Sequence, residues 1–217
     1  MCVRTQEWWW WEAVGLHIGT FGPRAAATHA IAYTLVPLLI MIPNSVGICM
    51  CNVVGRQLGA GDIKAAKKTA VLALSFGTAI AVAYSSAIFV FGASVASLFT
   101  DDEGVDELRQ SIWPWATVFL VLDAEFGMLA GLNRALGIQG WSARCVWLCL
   151  WMIGTPVIFL LGSDLEHTWY LLPAVYLLFD VALLCCSACT DWSQLAAAAK
   201  ASAFDAKQRI SPRKPGC

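Results

Sequence analysis

The chain has 217 residues, of which 59% are hydrophobic and only 13% are charged, and its formal net charge is −1. Soluble globular domains are usually about 25% charged, so this composition indicates a membrane protein. The near-zero net charge and the absence of a basic recognition motif argue against nucleic acid as a partner.

Apolar runs follow one another along the chain, and a helix needs about 20 such residues to cross a bilayer. Five stretches are long enough: 26–54, 69–99, 111–133, 143–162 and 168–190. A sixth run, 8–22, is too short to cross alone, and we expect its beginning to be missing because it starts close to Met1. The sequence therefore predicts an all-α polytopic membrane protein in which residues 1–192 form six transmembrane helices, the first one truncated. Residues 193–217 are predicted to form a disordered, basic tail.

Lys and Arg are distributed unevenly among the breaks between these runs. Of the 14 Lys and Arg residues, all but Arg24 and Arg109 fall in breaks that would lie on one side of the membrane. Acidic residues fill the alternate breaks over 100–110 and 163–167. Basic residues in short loops stay cytoplasmic, so we expect a multi-pass integral membrane protein with both termini in the cytoplasm.

Five prolines interrupt the predicted spans, and each removes a backbone donor from its helix. We expect them to mark either kinks that move or simple irregularities of helix packing. They are Pro37, Pro43, Pro114, Pro156 and Pro173.

Acidic residues inside the apolar runs are the main functional candidates. A carboxylate at mid-bilayer costs about 2.5–3.5 kcal/mol on insertion scales, so each needs a reason. We assign Glu7, Glu12 and Asp123 to substrate or proton binding, although Glu7 could instead lie at the wet interface. Asp180 is a weaker candidate, because it could form a hydrogen bond between helices. Glu125 lies about 200° round a helix from Asp123, so these two cannot share a face.

Glu7 and Glu12 stand on either side of a run of four tryptophans. They are separated by about 140° round a helix and about 7.5 Å along it, so they can flank one cavity without touching. A carboxyl in a low-dielectric site can carry a proton near neutral pH, and so can exchange that proton for a bound cation. Within the run, Trp8 and Trp9 could form an aromatic wall for an organic cation. The alternative is that the tryptophans simply collect at the membrane interface.

Other kinds of site find no support in the sequence. The cysteines in the apolar runs have no His at metal-ligand spacing, which argues against a metal site. No nucleophile–base pair is recognisable, so we expect neither an enzyme nor a bound cofactor. The glycine-rich segment 54–62 lacks the Gly-Lys-Ser/Thr of a phosphate-binding loop. Its Gly59-Ala60-Gly61 instead predicts a flexible turn.

This glycine-rich segment, Val-Gly-Arg-Gln-Leu-Gly-Ala-Gly-Asp, is similar to one found in the multidrug and toxic compound extrusion (MATE) family. Gly55, Gly59 and Gly61 carry the cytoplasmic loop motif of that resemblance. The resemblance extends from about residue 6 to 192 through an ordered set of further matches. These are Met41-Ile42-Pro43, Leu98-Phe99-Thr100-Asp101-Asp102, Pro114, Arg134 with Gly137 and Gln139, Gly154-Thr155-Pro156, and Thr190-Asp191-Trp192.

The resemblance implies a fold and a role for several residues. Family members have twelve helices in two six-helix lobes, and this chain resembles the second lobe only. The segment from Glu7 to Glu12 is similar to that of eukaryotic members' seventh helix, whose two acids are implicated in transport. Asp123 lies eleven residues before Arg134, where the tenth helix has its functional acid. Thr34 stands where animal members carry a further Glu, so it belongs with Asp180 among the weaker candidates.

The resemblance also implies an activity, which is proton-coupled antiport of small organic cations or xenobiotics. Sodium coupling is the less favoured version. The expected partners are the lipid bilayer, the organic cation and a missing N-terminal lobe, and the expected membrane is the plasma membrane or a vacuolar membrane. The alternative is a truncated half-carrier without transport of its own, which would be an interaction or regulatory subunit or a fragment of a gene.

Overall fold

The computed structural model describes residues 3–197, and all regular structure in that range is helical. The predicted tail from residue 198 onward lies outside the described residues. The helices are α1 (Val3–Gly19), α2 (Pro23–Leu39), α3 (Met41–Ala60), α4 (Ile63–Val90), α5 (Gly92–Ala96), α6 (Glu103–Ala135), α7 (Gln139–Val146), a π-helix (Trp147–Gly154), α8 (Thr155–Leu161) and α9 (Leu165–Cys189).

Five helical stretches within the described range are long and apolar enough to cross a membrane, and they correspond to the five predicted runs. They are Pro23–Ala60, Ile63–Val90, Glu103–Ala135, Gln139–Leu161 and Leu165–Cys189. The predicted sixth segment is α1, which has 17 residues. The all-α, multi-span fold class predicted from the sequence is therefore confirmed.

The first long run consists of two helices that meet at Ile40. Its amide bonds to the Val36 carbonyl at 3.0 Å, and its own carbonyl accepts from the Asn44 amide at 3.0 Å. Pro37 and Pro43 lie on either side and donate no backbone hydrogen bond, which explains why the helix is interrupted here. Pro114 and Pro173, by contrast, lie inside α6 and α9 without interrupting them.

The second interruption is the π-helix between α7 and α8. Pro156 occupies the first turn of α8 and cannot donate to the turn before it, which favours the wider i→i+5 turn. Gly154 closes the π-helix, and a Cβ atom there would lie 2.8 Å from the Val175 side chain. Trp10 of α1 donates from Nε1 to Thr155 Oγ1 at 3.1 Å. Helix α1 therefore contacts the segment next to the irregular turn as well as α2 and α7.

Helix α6 occupies the centre of the described chain. It has its most extensive contacts with α9, α3, α4 and α2. Aromatic side chains fill its interface with α9, where the rings of Phe126 and Phe179 lie 4.9 Å apart. Its interface with α3 is closer still, because Gly47 faces Gly127 and Gly131 so tightly that a Cβ on Gly131 would lie 2.4 Å from the Gly47 carbonyl oxygen.

The glycine-rich segment proves to be more regular than predicted. Gly55 and Gly59 lie within α3, so the turn predicted over 59–61 begins only at Gly61. Gly61 alone adopts a left-handed conformation, with φ 80°, and ends the helix. Asp62 then caps α4 by accepting from the Ala65 amide at 2.9 Å. A single residue with positive φ is enough to end a helix, and only that position requires glycine.

A short helix over 192–197 follows α9. Trp192 and Ala196 are buried against Val54 and Leu58 of α3. Residues 193–197, at the start of the predicted tail, are therefore helical, and Ala196 is the buried residue among them.

Candidate functional site

A cavity of about 600 Å³ lies among α1, α2, the first turn of α3 and α6. Pro37 and Ile40, at the break between α2 and α3, form part of its wall. The lining residues are Thr5, Glu7, Trp8, Trp9, Trp11, Tyr33, Val36, Pro37, Ile40, Met41, Asn44 and Asp123. Most of this surface is apolar or aromatic, and two carboxyl groups contribute to it.

Glu7 is one of these carboxyl groups, and only 3% of the residue is exposed. Its Oε1 atom accepts a hydrogen bond of 2.9 Å from the hydroxyl of Tyr176 on α9. That hydroxyl in turn accepts a bond of 2.9 Å from Nε1 of Trp11. The three residues form a relay from indole to phenol to carboxyl, which fixes the rotation of α1 against α9.

Asp123 on α6 is the second carboxyl group, and it is 2% exposed. It lines the same cavity as Glu7, so the fold brings together two of the three acids predicted to bind substrate or protons. Glu125 faces another helix, because Thr78 of α4 donates a hydrogen bond to it. The prediction that Asp123 and Glu125 occupy different faces of their helix is confirmed.

Glu12 lies elsewhere. Its side chain is exposed, and it is not among the residues that line the cavity. It is still close enough to interact electrostatically with the phenol of Tyr33, as Glu7 and Asp123 also do. The predicted angular offset from Glu7 therefore turns Glu12 out of the wall, and its role stays a prediction.

The four consecutive tryptophans divide between two environments. Trp8 and Trp9 line the cavity and are 56% and 65% exposed. Trp10 and Trp11 are buried in the core, where their ring centroids lie 5.8 Å apart. The two predicted alternatives, an aromatic wall or an interfacial belt, thus apply to Trp8 and Trp9. Trp10 packs α1 against the rest of the lobe. Trp11 does the same and also lines the cavity.

The two weaker candidates lie outside the cavity wall. Asp180 on α9 is buried, and neither of its carboxyl oxygens has a hydrogen-bond partner among the described residues. The hydrogen bond between helices that the sequence allowed is therefore not formed there. Thr34 is exposed, and its hydroxyl donates to the Ala30 carbonyl at 2.7 Å within its own helix.

Sequence reasoning missed several residues of the site. Tyr176 holds Glu7, Tyr33 and Asn44 line the cavity, and His29 stacks on Tyr33 at 5.7 Å with an interplanar angle of 9°. No spacing in the sequence connects Tyr176 with Glu7, because 169 positions separate them. The polar residues Tyr33 and Asn44, on either side of a proline-broken helix, were a usable signal. In the described part of the chain, no cluster of three or more potential metal ligands occurs.

Comparison with known proteins places this geometry in a family. A protein-family model described as MatE matches residues 2–160. The chain belongs to the MatE family. The family assignment agrees with the resemblance seen in the sequence, and it covers the cavity, the glycine-rich segment and the π-helix.

Curated relatives within the MatE family are described as extrusion or multidrug resistance proteins. "Multidrug and toxin extrusion protein 2" of Homo sapiens is 28% identical over 92% of this chain and 33% of its own length. The Oryctolagus cuniculus protein of the same name is 26% identical over 88% of the chain and 32% of its length. "Multidrug resistance protein NorM" of Aliivibrio fischeri is 28% identical over 69% and 33%. The chain thus spans about a third of the length of these relatives.

A solved MatE-family structure has the same helical arrangement. "Crystal structure of eukaryotic MATE transporter AtDTX14" matches with a TM-score of 0.81, over 90% of this chain and 45% of that one. At 22% sequence identity, this match establishes the fold only.

Proposed function

We propose that this chain supplies one lobe of a secondary carrier that extrudes small organic cations in exchange for protons. The observation that carries the proposal is the pair of buried carboxyls, Glu7 and Asp123, in the wall of a single cavity beside exposed tryptophan rings. A carboxyl group inside the membrane costs free energy to insert and usually has a function, and here two of them border the same cavity. The relatives are named for multidrug and toxin extrusion or for multidrug resistance, which supports extrusion of toxins and drugs.

The chemistry of exchange follows from the charge of these two groups. When Glu7 and Asp123 are ionised, they attract a cation strongly because the surrounding protein and lipid screen charge poorly. Trp8 and Trp9 add the attraction of their ring faces for a desolvated cation. When protons bind the carboxyls, the negative charge is lost and the cation is released. Cation and proton therefore compete for one site, which is the requirement for antiport.

The broken helix provides a place for the necessary movement. Pro37 and Ile40 are part of the cavity wall and also part of the break between α2 and α3. Non-helical backbone at membrane depth is tolerated where it borders a cavity, and carriers commonly bind their substrates at such broken helices. In our proposal, a second lobe faces this cavity and the two lobes rock about it in alternating access.

The proposed orientation places the basic breaks and both termini in the cytoplasm. The break between α3 and α4 and the start of α7 then face inward, and the acidic start of α6 faces outward. The plasma membrane and a vacuolar membrane are both compatible with this orientation. Proton coupling is the favoured version over sodium coupling, because the site consists of carboxyl groups that protons neutralise directly.

Vesicle uptake of a fluorescent organic cation under an imposed pH gradient tests the proposal in the assembled carrier. Glu7→Gln and Asp123→Asn are each expected to reduce uptake at least about tenfold, because removal of one charge from a desolvated pair removes well over 1.4 kcal/mol of attraction. Glu12→Gln is expected to have a smaller effect, because its side chain lies outside the wall. Glu166→Gln is the matched control, since Glu166 is an exposed acid in the first turn of α9.

Two outcomes would overturn parts of this proposal. Uptake by Glu7→Gln and Asp123→Asn at the rate of the unaltered carrier would remove the two carboxyls from the mechanism. Uptake driven by a sodium gradient at constant pH, and not by a pH gradient, would replace the proton as the coupling ion.

A second candidate is a half-carrier that does not transport by itself. It is favoured by the coverage of the relatives, because the chain spans only about a third of their length. Sequencing of the transcript upstream of Met1 distinguishes the two. An in-frame second lobe in that transcript would rule the second candidate out.

A further inference from the structure

Asp180 is the buried acid that the proposed exchange cycle leaves unused. The residue is 6% exposed, and both of its carboxyl oxygens are buried without a hydrogen-bond partner among the described residues. It does not line the cavity. It lies one helical turn after Tyr176, so it shares a face of α9 with the residue that holds Glu7.

The charged groups that act on Asp180 come from two other helices. Glu7 of α1 and both Asp123 and Glu125 of α6 interact with it electrostatically. All three are acids, and no basic group of the described chain is among them. Among the described residues, an ionised Asp180 would therefore be repelled by three acids and attracted by no basic group.

The titratable groups of α7 and the π-helix, which also pack against α9, do not supply a counter-charge. Cys145 contacts Cys186, whose sulfur lies 3.6 Å away and six residues beyond Asp180. Cys149 is a free thiol. Arg144 is exposed, and its guanidinium group lies 4.7 Å from the ring of Trp141.

A buried carboxylate with neither a donor nor a cation beside it is strongly disfavoured, and such a group takes up a proton instead. We propose that Asp180 is a third proton-binding carboxyl of the lobe, separate from the cavity, which holds its proton while Glu7 and Asp123 are ionised. The inference rests on the proposed function for its role in transport, and on burial and surroundings for the protonation itself.

The same arrangement links the proton on Asp180 to events in the cavity. When a cation or protons neutralise Glu7 and Asp123, two of the three repelling charges disappear. Ionisation of Asp180 then becomes less unfavourable, and its O–H bond can break to leave a carboxylate and a proton that passes to water. Occupancy of the cavity in this way changes the protonation of Asp180, which the substrate does not touch.

Infrared spectroscopy of the 217-residue chain in liposomes tests the protonation without any need for transport. The absorption of protonated carboxyl groups is measured at neutral pH in the unaltered chain and in Asp180→Asn, Glu7→Gln and Asp123→Asn. We expect Asp180→Asn to lose this band and the other two variants to retain it. A band that survives intact in Asp180→Asn would overturn the proposal.

Coupling to the cavity is tested by titration of the same band towards alkaline pH. Removal of one repelling charge in Glu7→Gln should make the Asp180 band disappear at a lower pH than in the unaltered chain. A band that disappears at the same pH in both proteins would overturn the coupling. Asp106→Asn is the matched control, because Asp106 is a hydrogen-bonded acid at the far end of α6.

Stability provides a second reading, since asparagine has the shape of the neutral acid. The thermal midpoint of Asp180→Asn should stay close to that of the unaltered chain. A large fall, or failure to fold, would show that the native protein uses an ionised Asp180, and would also overturn the proposal. Failure of Glu7→Gln to impair transport would count against the proposed function, but it would leave the infrared result on Asp180 standing.

Discussion

Helix α6 passes through two unlike surroundings within three turns. At Asp123 it borders an open cavity of about 600 Å³, and at Gly127 and Gly131 its backbone lies directly against that of α3. We call this second region the glycine seam, which consists of Gly47, Gly127 and Gly131. The seam has no room for even one methyl group, whereas the cavity accommodates a whole small molecule.

The contrast indicates which parts of the lobe can move. Helix α3 begins at the cavity, where Met41 and Asn44 line the wall, and reaches the seam one turn later at Gly47. Close packing of small residues holds membrane helices together without a hydrophobic driving force. The seam therefore fixes α3 to α6, and we expect the movement of the proposed exchange cycle to occur in the proline-broken segment before it.

Gly131→Ala should produce the largest effect, because it breaks the rigid region. The new Cβ would lie 2.4 Å from the Gly47 carbonyl oxygen, which is backbone and cannot rotate away. We expect the free energy of unfolding to fall by about 3 kcal/mol, at the upper end of the range for overpacked cores. Thermal or denaturant unfolding of the purified chain in detergent measures the change.

Gly55→Ala is the matched control for the seam. Gly55 lies inside α3, and a Cβ there meets nothing within 4 Å. Alanine is favoured over glycine in a helix interior by about 1 kcal/mol, so this variant should be as stable as the unaltered chain or more stable. Equal losses in both variants would show that the close approach of α3 and α6 does not hold in solution.

Tyr176→Phe disrupts the hydrogen bonds beside the cavity and should have the next largest effect on stability. It removes the hydroxyl that donates to Glu7 and accepts from Trp11, and so leaves two buried polar groups without that partner. An unsatisfied buried group costs about 1–3 kcal/mol, and we expect a loss of unfolding free energy in that range. Unfolding in detergent again provides the measurement.

Tyr33→Phe is the control, because Tyr33 lines the cavity but takes no part in the bonds between Glu7, Tyr176 and Trp11. Its stability should change much less. If both variants lose the same stability, the relay does not fix α1, and the position of Glu7 in the wall needs another cause.

The sequence was sufficient to predict the features that depend on one helix at a time. The length of each apolar run predicted the spans, because membrane thickness sets that length directly. Helix geometry alone separated Asp123 from Glu125, and the structure places them on different faces. The cost of burying charge singled out Glu7, Glu12 and Asp123 before any fold was known, and two of these three acids line the cavity.

Features that depend on how helices are rotated against each other could not be predicted in this way. Glu7 and Glu12 are both acids on α1, and the sequence does not show that Glu7, which accepts from Tyr176 on α9, is the one that lines the cavity. The spacing of Gly127 and Gly131 is visible in the sequence, but the sequence does not show that Gly47 packs against them. The extent of the turn in the glycine-rich segment was also predicted poorly, because a glycine is compatible both with a turn and with a helix.

Asp164→Ala should have the smallest effect, because Asp164 belongs to neither region and lies in the turn before α9. Its carboxylate caps α9 by accepting from the His167 amide at 2.8 Å, and it also bonds to Nδ1 of the His167 ring at 2.8 Å. These interactions, with the backbone hydrogen bond foremost, lower the pKa of Asp164 below its ordinary value of 3.8. Loss of such a cap costs about 1 kcal/mol at neutral pH.

The sign of the pH dependence follows from that lowered pKa. The folded chain holds a proton on Asp164 less tightly than the unfolded chain does, so the stabilisation is present above pH 3.8 and is lost as the pH falls through the folded value. The difference in thermal midpoint between Asp164→Ala and the unaltered chain should therefore be largest at neutral pH and shrink in acid. Glu166→Ala removes an exposed acid two residues further along the chain and should show a smaller difference. A difference for Asp164→Ala that is the same in acid and at neutral pH would mean that the ionised carboxylate does not cap α9, and that the turn is held by its packing alone.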